Sequence, residues 1–427
     1  MRKWHMNRFF YTTLLYFTLP FVPLKLFWRS LKQPDYRKHW QERFGFYPHT
    51  LDNSKPIICL HCVSVGETRA AVPLINKLLE TYPNYSILLT HTTPTGRDAS
   101  TQLFGDAVMR VYLPYDLPFA VERFLNHFKP AIMLLMETEL WFNLMAKCHE
   151  TQTPCLLINA RLSERSAKGY AKLGQLTHKG LQHLSAIAAQ TTADAERLKK
   201  LGAHNISVLG NLKFDVAVPH NVSQAGSALR HLFGENAFVL VAASTRDGEE
   251  ALILDAIAQL NIPSLITVIV PRHPQRFDEV ASILESRGFT YQKRSALKEP
   301  IQPSTKFVLG DSMGELFSYY AACDVAFVGG SLLPFGGQNL IEPCALGKPA
   351  LIGPHTFNFE LATEWAIAAG AVLRIENVNA LASTLKTLFE NEAQRRKMAK
   401  AAFSFVAEHH GATDKTMHLL SSYLNHH

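Results

Sequence analysis

From about residue 53 onward, short and nearly continuous apolar runs alternate with longer stretches in which apolar positions recur at helical spacing. The short runs predict strands at 58–65, 86–93, 109–114, 131–136, 155–160, 186–190 and 206–209. A second series follows at 238–243, 266–270, 307–309, 325–328, 349–352 and 371–374. Between them, 67–80, 118–127, 194–201, 248–259 and 275–286 read as helices. Strands apolar on both faces and separated by helices belong to parallel sheets covered on both sides. A polar, unpatterned stretch at about 215–235 joins the two series. The pattern therefore predicts an α/β protein with an N-terminal segment at 1–45, a doubly wound domain at 46–214, a linker at 215–236 and a second doubly wound domain at 237–427. The C-terminal run, 391–425, reads as helical and can pack on either domain. In such sheets ligands collect beyond the carboxyl ends of the strands, and for two facing domains that place is the cleft between them.

A length of 427 residues fits two domains, and 47% hydrophobic with 19% charged residues fits a globular chain rather than a disordered or multi-span one. Six cysteines without a regular framework point to reduced, intracellular thiols. The formal charge of +7 suggests nucleic acid until it is located. Residues 1–50 carry nine Lys/Arg against Asp35 and Glu42, which accounts for all of it, so nucleic acid is not the expected partner. The same end holds the most apolar stretch, 9–28, with cations on both sides. Its uncharged part, 9–24, is 16 residues long. That is short of the roughly 20 a spanning helix needs, and Pro20 and Pro23 are expected to interrupt a helix. No small-residue cleavage site follows. Aromatics flanked by Lys/Arg suit an anchor lying in, or dipping into, the headgroup region of an anionic cytoplasmic leaflet; an ordinary buried helix is the alternative.

The unusual residues recur at the strand ends. The first strand runs into Ser64-Val65-Gly66-Glu67 and a helix, whose dipole is expected to hold Glu67 anionic. Such a carboxylate can act as a general base or simply be a favourable helix-start residue. The fourth strand ends in Met136-Glu137-Thr138-Glu139-Leu140-Trp141, two carboxylates on one face that repel unless a cation compensates, as structural ion pairing also would. Asn159-Ala160-Arg161 and Gly210-Asn211-Leu212-Lys213 bring cations to later strand ends. In the second series the ends read Ser244-Thr245-Arg246, Arg272-His273, Gly310 to Glu315, Gly329-Gly330-Ser331 and Gly336 to Glu342. Paired glycines before a helix are expected to expose backbone N–H groups to a phosphate, although turn chemistry alone also places glycines there. The second domain is thus the candidate nucleotide holder.

There is no G-x-G, which disfavours nicotinamide and flavin enzymes, and no P-loop motif. No D-x-D is present to hold a divalent metal on a diphosphate, so no protein-held metal and no cofactor are expected. Cys59-Leu60-His61-Cys62 falls in a strand, where residues three apart face opposite ways, and reads as core thiols rather than a zinc half-site.

With these residues in view the chain resembles the 3-deoxy-D-manno-octulosonic acid (Kdo) transferases. The likeness runs through YRKHWQERFGFY (36–47), SVGE (64–67), TPTG (93–96), VYLPYDLP (111–118), METELW (136–141), NARLS (159–163), LKFD (212–215), VPRHP (270–274), GDSMGE (310–315), FVGGS (327–331) and GPHTFNF (353–359). It covers nearly the whole chain. The resemblance implies the two-domain GT-B fold and transfer of Kdo from CMP-Kdo to the lipid A precursor (lipid IVA) at the cytoplasmic face of the inner membrane. It places the general base on Glu67 and the transition-state stabilisers on Glu137 and Lys213. CMP contacts fall on Arg272 and His273, on Met313, Gly314 and Glu315, and on Asn339, Leu340, Ile341 and Glu342. This chain departs from the usual N-P-L-E in reading Asn339-Leu340-Ile341-Glu342, which removes a pre-organising proline. It also has Phe142 where Pro commonly follows METELW. The rival readings are a soluble sugar-nucleotide epimerase, or another GT-B enzyme, and a non-catalytic nucleotide-binding membrane protein.

Overall fold

The computed structural model describes residues 6–47 and 55–424. Arg2, Lys3 and the end of the C-terminal run at Asn425 lie outside the described residues. The chain divides into two compact units, one from residues 1–215 with 410–427 and the other from residues 216–409.

In the first unit β1 (Ile57–His61), β2 (Ser86–His91), β3 (Met109–Tyr112), β4 (Ile132–Met136), β5 (Cys155–Ala160), β6 (Ala186–Ala189) and β7 (Ile206–Val208) form one sheet. Its order is β3-β2-β1-β4-β5-β6-β7, with every pairing parallel. In the second unit β8 (Phe238–Thr245), β9 (Leu265–Pro271), β10 (Tyr291–Lys293), β11 (Phe307–Leu309), β12 (Val325–Val328), β13 (Ala350–Ile352) and β14 (Val372–Arg374) do the same, in the order β10-β11-β9-β8-β12-β13-β14. The short edge strand β10 escapes a hydrophobic pattern because Tyr-Gln-Lys is only partly buried. Strand order reverses at β1/β4 in one sheet and at β8/β12 in the other, the places where such sheets bind ligands. Alternation along β1 sends Cys59 into one apolar layer and Ile58, Leu60 and the following Cys62 into the other, so the two thiols do face apart.

The N-terminal segment folds as α1 (Arg8–Thr18), a 3-10 turn (Leu19–Phe21) and α2 (Val22–Lys32). Pro20 and Pro23 do not break it. Each sits in the first positions of a new helical piece, where a missing N–H costs nothing, so a helix runs through residues 8–31 and is long enough to cross a bilayer. Its two sides differ. Phe10, Leu14, Phe17, Phe21, Leu24, Trp28 and Leu31 recur every three or four residues as one exposed stripe, Phe17 being 73% exposed. The opposite side is docked on the first unit. Tyr11 packs edge-on against Phe142 at 5.3 Å, and Arg8 pairs with Glu150 at 2.9 Å.

Further along, α3 (Val65–Ala70) and α4 (Val72–Thr81) divide the predicted 67–80 helix at Pro73. They are followed by α5 (Pro94–Phe104), α6 (Pro118–Phe128) and α7 (Phe142–Glu150).

The stretch expected to be a linker is largely ordered structure. Residues Val222–Phe233 form a helix of the second unit that buries Leu229 and Phe233. Its weak apolar pattern reflects a close helix contact, since a Cβ on Gly226 would lie 2.3 Å from the Ala321 Cβ. The last helix, Ala412–Leu424, belongs with the first unit rather than the second. Met417, Leu420 and Leu424 join the apolar layer of α4. The Asp215 carboxylate accepts from the Gly411 N–H at 2.6 Å and from the Thr413 N–H, capping that helix from afar.

Candidate active site

Beyond β1, Ser64 caps α3 and accepts from the Glu67 N–H at 3.3 Å. The Glu67 side chain turns back to accept from the Val63 N–H at 2.5 Å, a variant of the capping box. This fixes the carboxylate at the switch point of the sheet, half-buried. The dipole and these hydrogen bonds favour its anion, as the sequence leads one to expect, but they do not win. Burial, with the Glu137 and Glu139 carboxylates adding to it, raises Glu67 from the usual 4.5 to about 7. It is therefore divided between acid and anion near neutrality rather than held anionic.

On the neighbouring strand Glu137 ends β4 with φ 57°, a left-handed conformation costly for a non-glycine residue. Its N–H donates to the Ile158 carbonyl at 3.0 Å. Lys213 Nζ lies 3.9 Å from its Oε1. The Lys213 loop is held by Asn159, whose Oδ1 accepts from the Leu212 N–H at 3.1 Å. Asn159 itself has φ 50° at a register irregularity of β5. The structure thus brings Glu67 and Glu137 to the ends of the adjoining strands β1 and β4, and Lys213 reaches Glu137 from the turn that follows β7. Glu139 is drawn aside to accept from the Trp141 Nε1–H at 3.0 Å, and burial lifts its carboxyl above the usual range. His61 and His91 lie beneath this group, wholly buried, and burial lowers them to about 3 and about 4, which leaves Glu67 without a competing histidine base there.

In the second unit the switch point is built around a residue the sequence reading missed. Glu249, fully buried at the start of helix Glu249–Ala258, accepts from the N–H groups of Arg246 (2.9 Å), Gly330 (2.5 Å), Ser331 (2.8 Å) and Leu332 (2.9 Å). The amides of Gly337 and Gln338 bind the carbonyls of Gly330 and Gly329. The glycine pairs therefore do not offer these amides to a phosphate. They let two strand-end loops fold on each other, and a Cβ on Gly329 would sit 2.6 Å from the Ser244 carbonyl oxygen. The signal for Glu249 was only a pair of acids after a turn, which any helix start favours.

Two arginines and a histidine stand at the neighbouring strand ends of this unit. Arg246 donates to His273 Nε2 at 3.2 Å and lies over the Phe335 ring at 4.8 Å, and Arg272 follows directly after β9. The adjacent Glu250 is buried and takes two bonds from Arg276 (2.8 and 3.0 Å) and one from Thr245 (2.7 Å). Met313 and Gly314 are exposed on their loop, whereas Glu315 is paired with Arg294 at 2.7 Å. Asn339 Nδ2 donates to Glu342 at 3.1 Å. Leu340 and Ile341 are fully buried, and the Ile341 N–H already donates to Asn339 Oδ1 at 3.0 Å, so neither offers surface to a ligand.

Residues 38–216 match the family described as 3-deoxy-D-manno-octulosonic-acid transferase (kdotransferase), and residues 234–405 match glycosyl transferases group 1. The 3-deoxy-D-manno-octulosonic acid transferase of Haemophilus influenzae is 37% identical over 424 residues, 98% of this chain and 99% of that protein. The chain belongs to the Kdo transferase family. The Bordetella pertussis transferase is 44% identical over 377 residues, 86% of this chain and 87% of its own. Among solved structures, UDP-GlcNAc 2-epimerase from Neisseria meningitidis bound to UDP-GlcNAc has a TM-score of 0.58 at 16% identity, covering 86% of this chain and 100% of that one. A glycosyltransferase from Rickettsia africae has a TM-score of 0.55 at 14% identity, covering 87% and 100%. Identity this low shows the shared GT-B type of fold and no more. Membership of the family makes the protein a glycosyltransferase.

Proposed function

We propose that this transferase moves Kdo from CMP-Kdo to a lipid A precursor with inversion at the anomeric carbon. The observation that carries the reading is Glu67, a half-buried carboxyl at the β1/β4 switch point raised to about 7 beside Glu137. A sugar hydroxyl is too weakly acidic to attack unaided, and a base is most effective when its pKa lies near the working pH. In this reading Glu67 takes the proton of the acceptor hydroxyl as it forms the new bond to the anomeric carbon, while CMP leaves with the electron pair of the broken one. Glu137, held in place by Lys213, stabilises the oxocarbenium-like transition state. Arg246, Arg272 and His273 receive the charge growing on the CMP phosphate, with Met313 to Glu315, Asn339 and Glu342 as further CMP contacts.

The N-terminal helix supports a reading of membrane attachment. Its exposed aromatic stripe with Lys25 and Arg29 suits an anionic bilayer surface, and its docked side favours lying along the headgroups over spanning them. We place it on the cytoplasmic face of the inner membrane.

The test is to incubate the purified protein with CMP-Kdo and a lipid A precursor and to weigh the products. The expected result is addition of Kdo and release of CMP, with a Glu67→Ala variant that binds CMP but does not transfer. Near-normal turnover by that variant removes the base assignment, and failure of the native protein to add Kdo removes the reading.

A further inference from the structure

The VYLPYDLP stretch leaves Asp116 without a role in the chemistry above, yet it is 4% exposed and fully engaged. α7 begins directly after the loop of residues 137–141, and its N-cap residue, Trp141, supplies no side-chain cap. Asp116 supplies it from another element. Oδ2 accepts from the Asn143 N–H and Oδ1 from the Leu144 N–H, both at 2.9 Å, while Asn143 Nδ2 donates to the Asp116 carbonyl at 2.6 Å. A carboxylate there meets the orphan amides and the positive end of the helix dipole.

The same Oδ2 accepts from the Tyr11 hydroxyl of α1 at 2.9 Å, and Thr12 Oγ1 donates to Asn143 Oδ1 at 3.1 Å. The inner side of α1 is thereby bonded to the first turn of α7. At its other end the loop is tied to β5 through Glu137, and between the ends Tyr170 donates to the Thr138 carbonyl at 3.1 Å. Glu137 has a left-handed backbone, a conformation that persists in a non-glycine residue where its surroundings over-determine it.

We infer that Asp116 is a positioning residue for the Glu137 loop, and that α1, through Tyr11 and Thr12, is part of that support as well as the membrane-facing element. One face of the helix meets lipid and the other braces the loop, so another anchor in its place would restore attachment without restoring the loop. The inference rests on the proposed role of Glu137 for its effect on turnover, but not for its structural arm.

Tyr11→Phe removes one hydroxyl and Thr12→Val one more, without emptying the site, and Asp116→Asn keeps the shape of the cap. Kdo transfer is measured for the full chain in detergent, where attachment to a bilayer plays no part. Alongside it run hydrogen exchange of the peptides covering 137–144 and flotation with vesicles of mixed neutral and anionic phospholipid. Tyr11→Phe,Thr12→Val is expected to lower kcat by roughly tenfold, in line with the loss of about two hydrogen bonds' worth of positioning, with donor KM and flotation unchanged. Exchange should rise at 137–144 and not in the second unit, and Asp116→Asn should do the same more strongly. Unchanged exchange at 137–144 overturns the inference, as does raised exchange with unaltered kcat, or a kcat loss that tracks loss of flotation. If the native protein transfers no Kdo, the proposed function fails, and exchange still decides whether α1 supports the loop.

Discussion

Glu67 shows how single residues in this protein depend on the balance of competing terms. The helix start and two hydrogen bonds favour its anion, while burial and Glu137 oppose it and prevail. As the general base it must be deprotonated, so kcat/KM is expected to rise with pH along a limb centred near 7. A flat profile between pH 5.5 and 8 would exclude it from that role. The folded carboxyl also holds its proton more tightly than the unfolded one, so stability is lost as pH climbs from 4.5 through about 7. Glu67→Gln should accordingly stabilise the protein at pH 8 by on the order of 2 kcal/mol and much less at pH 5, a difference read by calorimetric melting at the two pH values. Glu249 matters through geometry instead, as a buried side chain that accepts from four backbone N–H groups. Glu249→Ala leaves four strand-end amides without an acceptor and should cost about 3 kcal/mol or more. CMP binding, followed by titration calorimetry at a temperature where the variant is folded, should weaken because the Arg246 backbone is no longer fixed.

At the scale of elements, spacing predicted most strands to within a residue or two, because a buried parallel strand is a run of apolar side chains wherever it occurs. The failures share a cause. The Val222–Phe233 helix hides behind Gly226, whose missing side chain is itself the packing surface against Ala321, and β10 is a half-buried edge. The N-terminal helix read as too short and proline-broken because the restarts that absorb the prolines, a 3-10 turn at Pro20 and the first turn of α2 at Pro23, are not written in hydrophobicity. Its exposed stripe makes a clear prediction. Phe17→Glu with Leu24→Glu should abolish flotation with anionic vesicles and leave the melting temperature nearly unchanged, since neither side chain is buried. A protein that still floats would show that attachment lies elsewhere.

At the scale of the whole molecule, the chain leaves its first unit at Asp215 and returns to it at His410. Ending the chain after His409 should therefore loosen the first unit and spare the second. Met417, Leu420 and Leu424 contribute about 1.5–3 kcal/mol each by burial, and Asp215 loses the amides it caps. Hydrogen exchange should rise over α4 and β1 with little change in β8 and β9, whereas uniform or second-unit loosening would contradict the assignment. The succession of strands along the chain, the number of sheets and the family were carried by the sequence, because periodicity and short motifs are local and survive without knowledge of neighbours in space. So was the list of polar strand ends, among which the family resemblance singles out Glu67, Glu137 and Lys213. Which side of the N-terminal helix is docked, which backbone amides Glu249 has already taken, and where the last helix packs were decided only by tertiary structure. The proton on Glu67 belongs with them, since each is set by groups far apart in the chain and close in space.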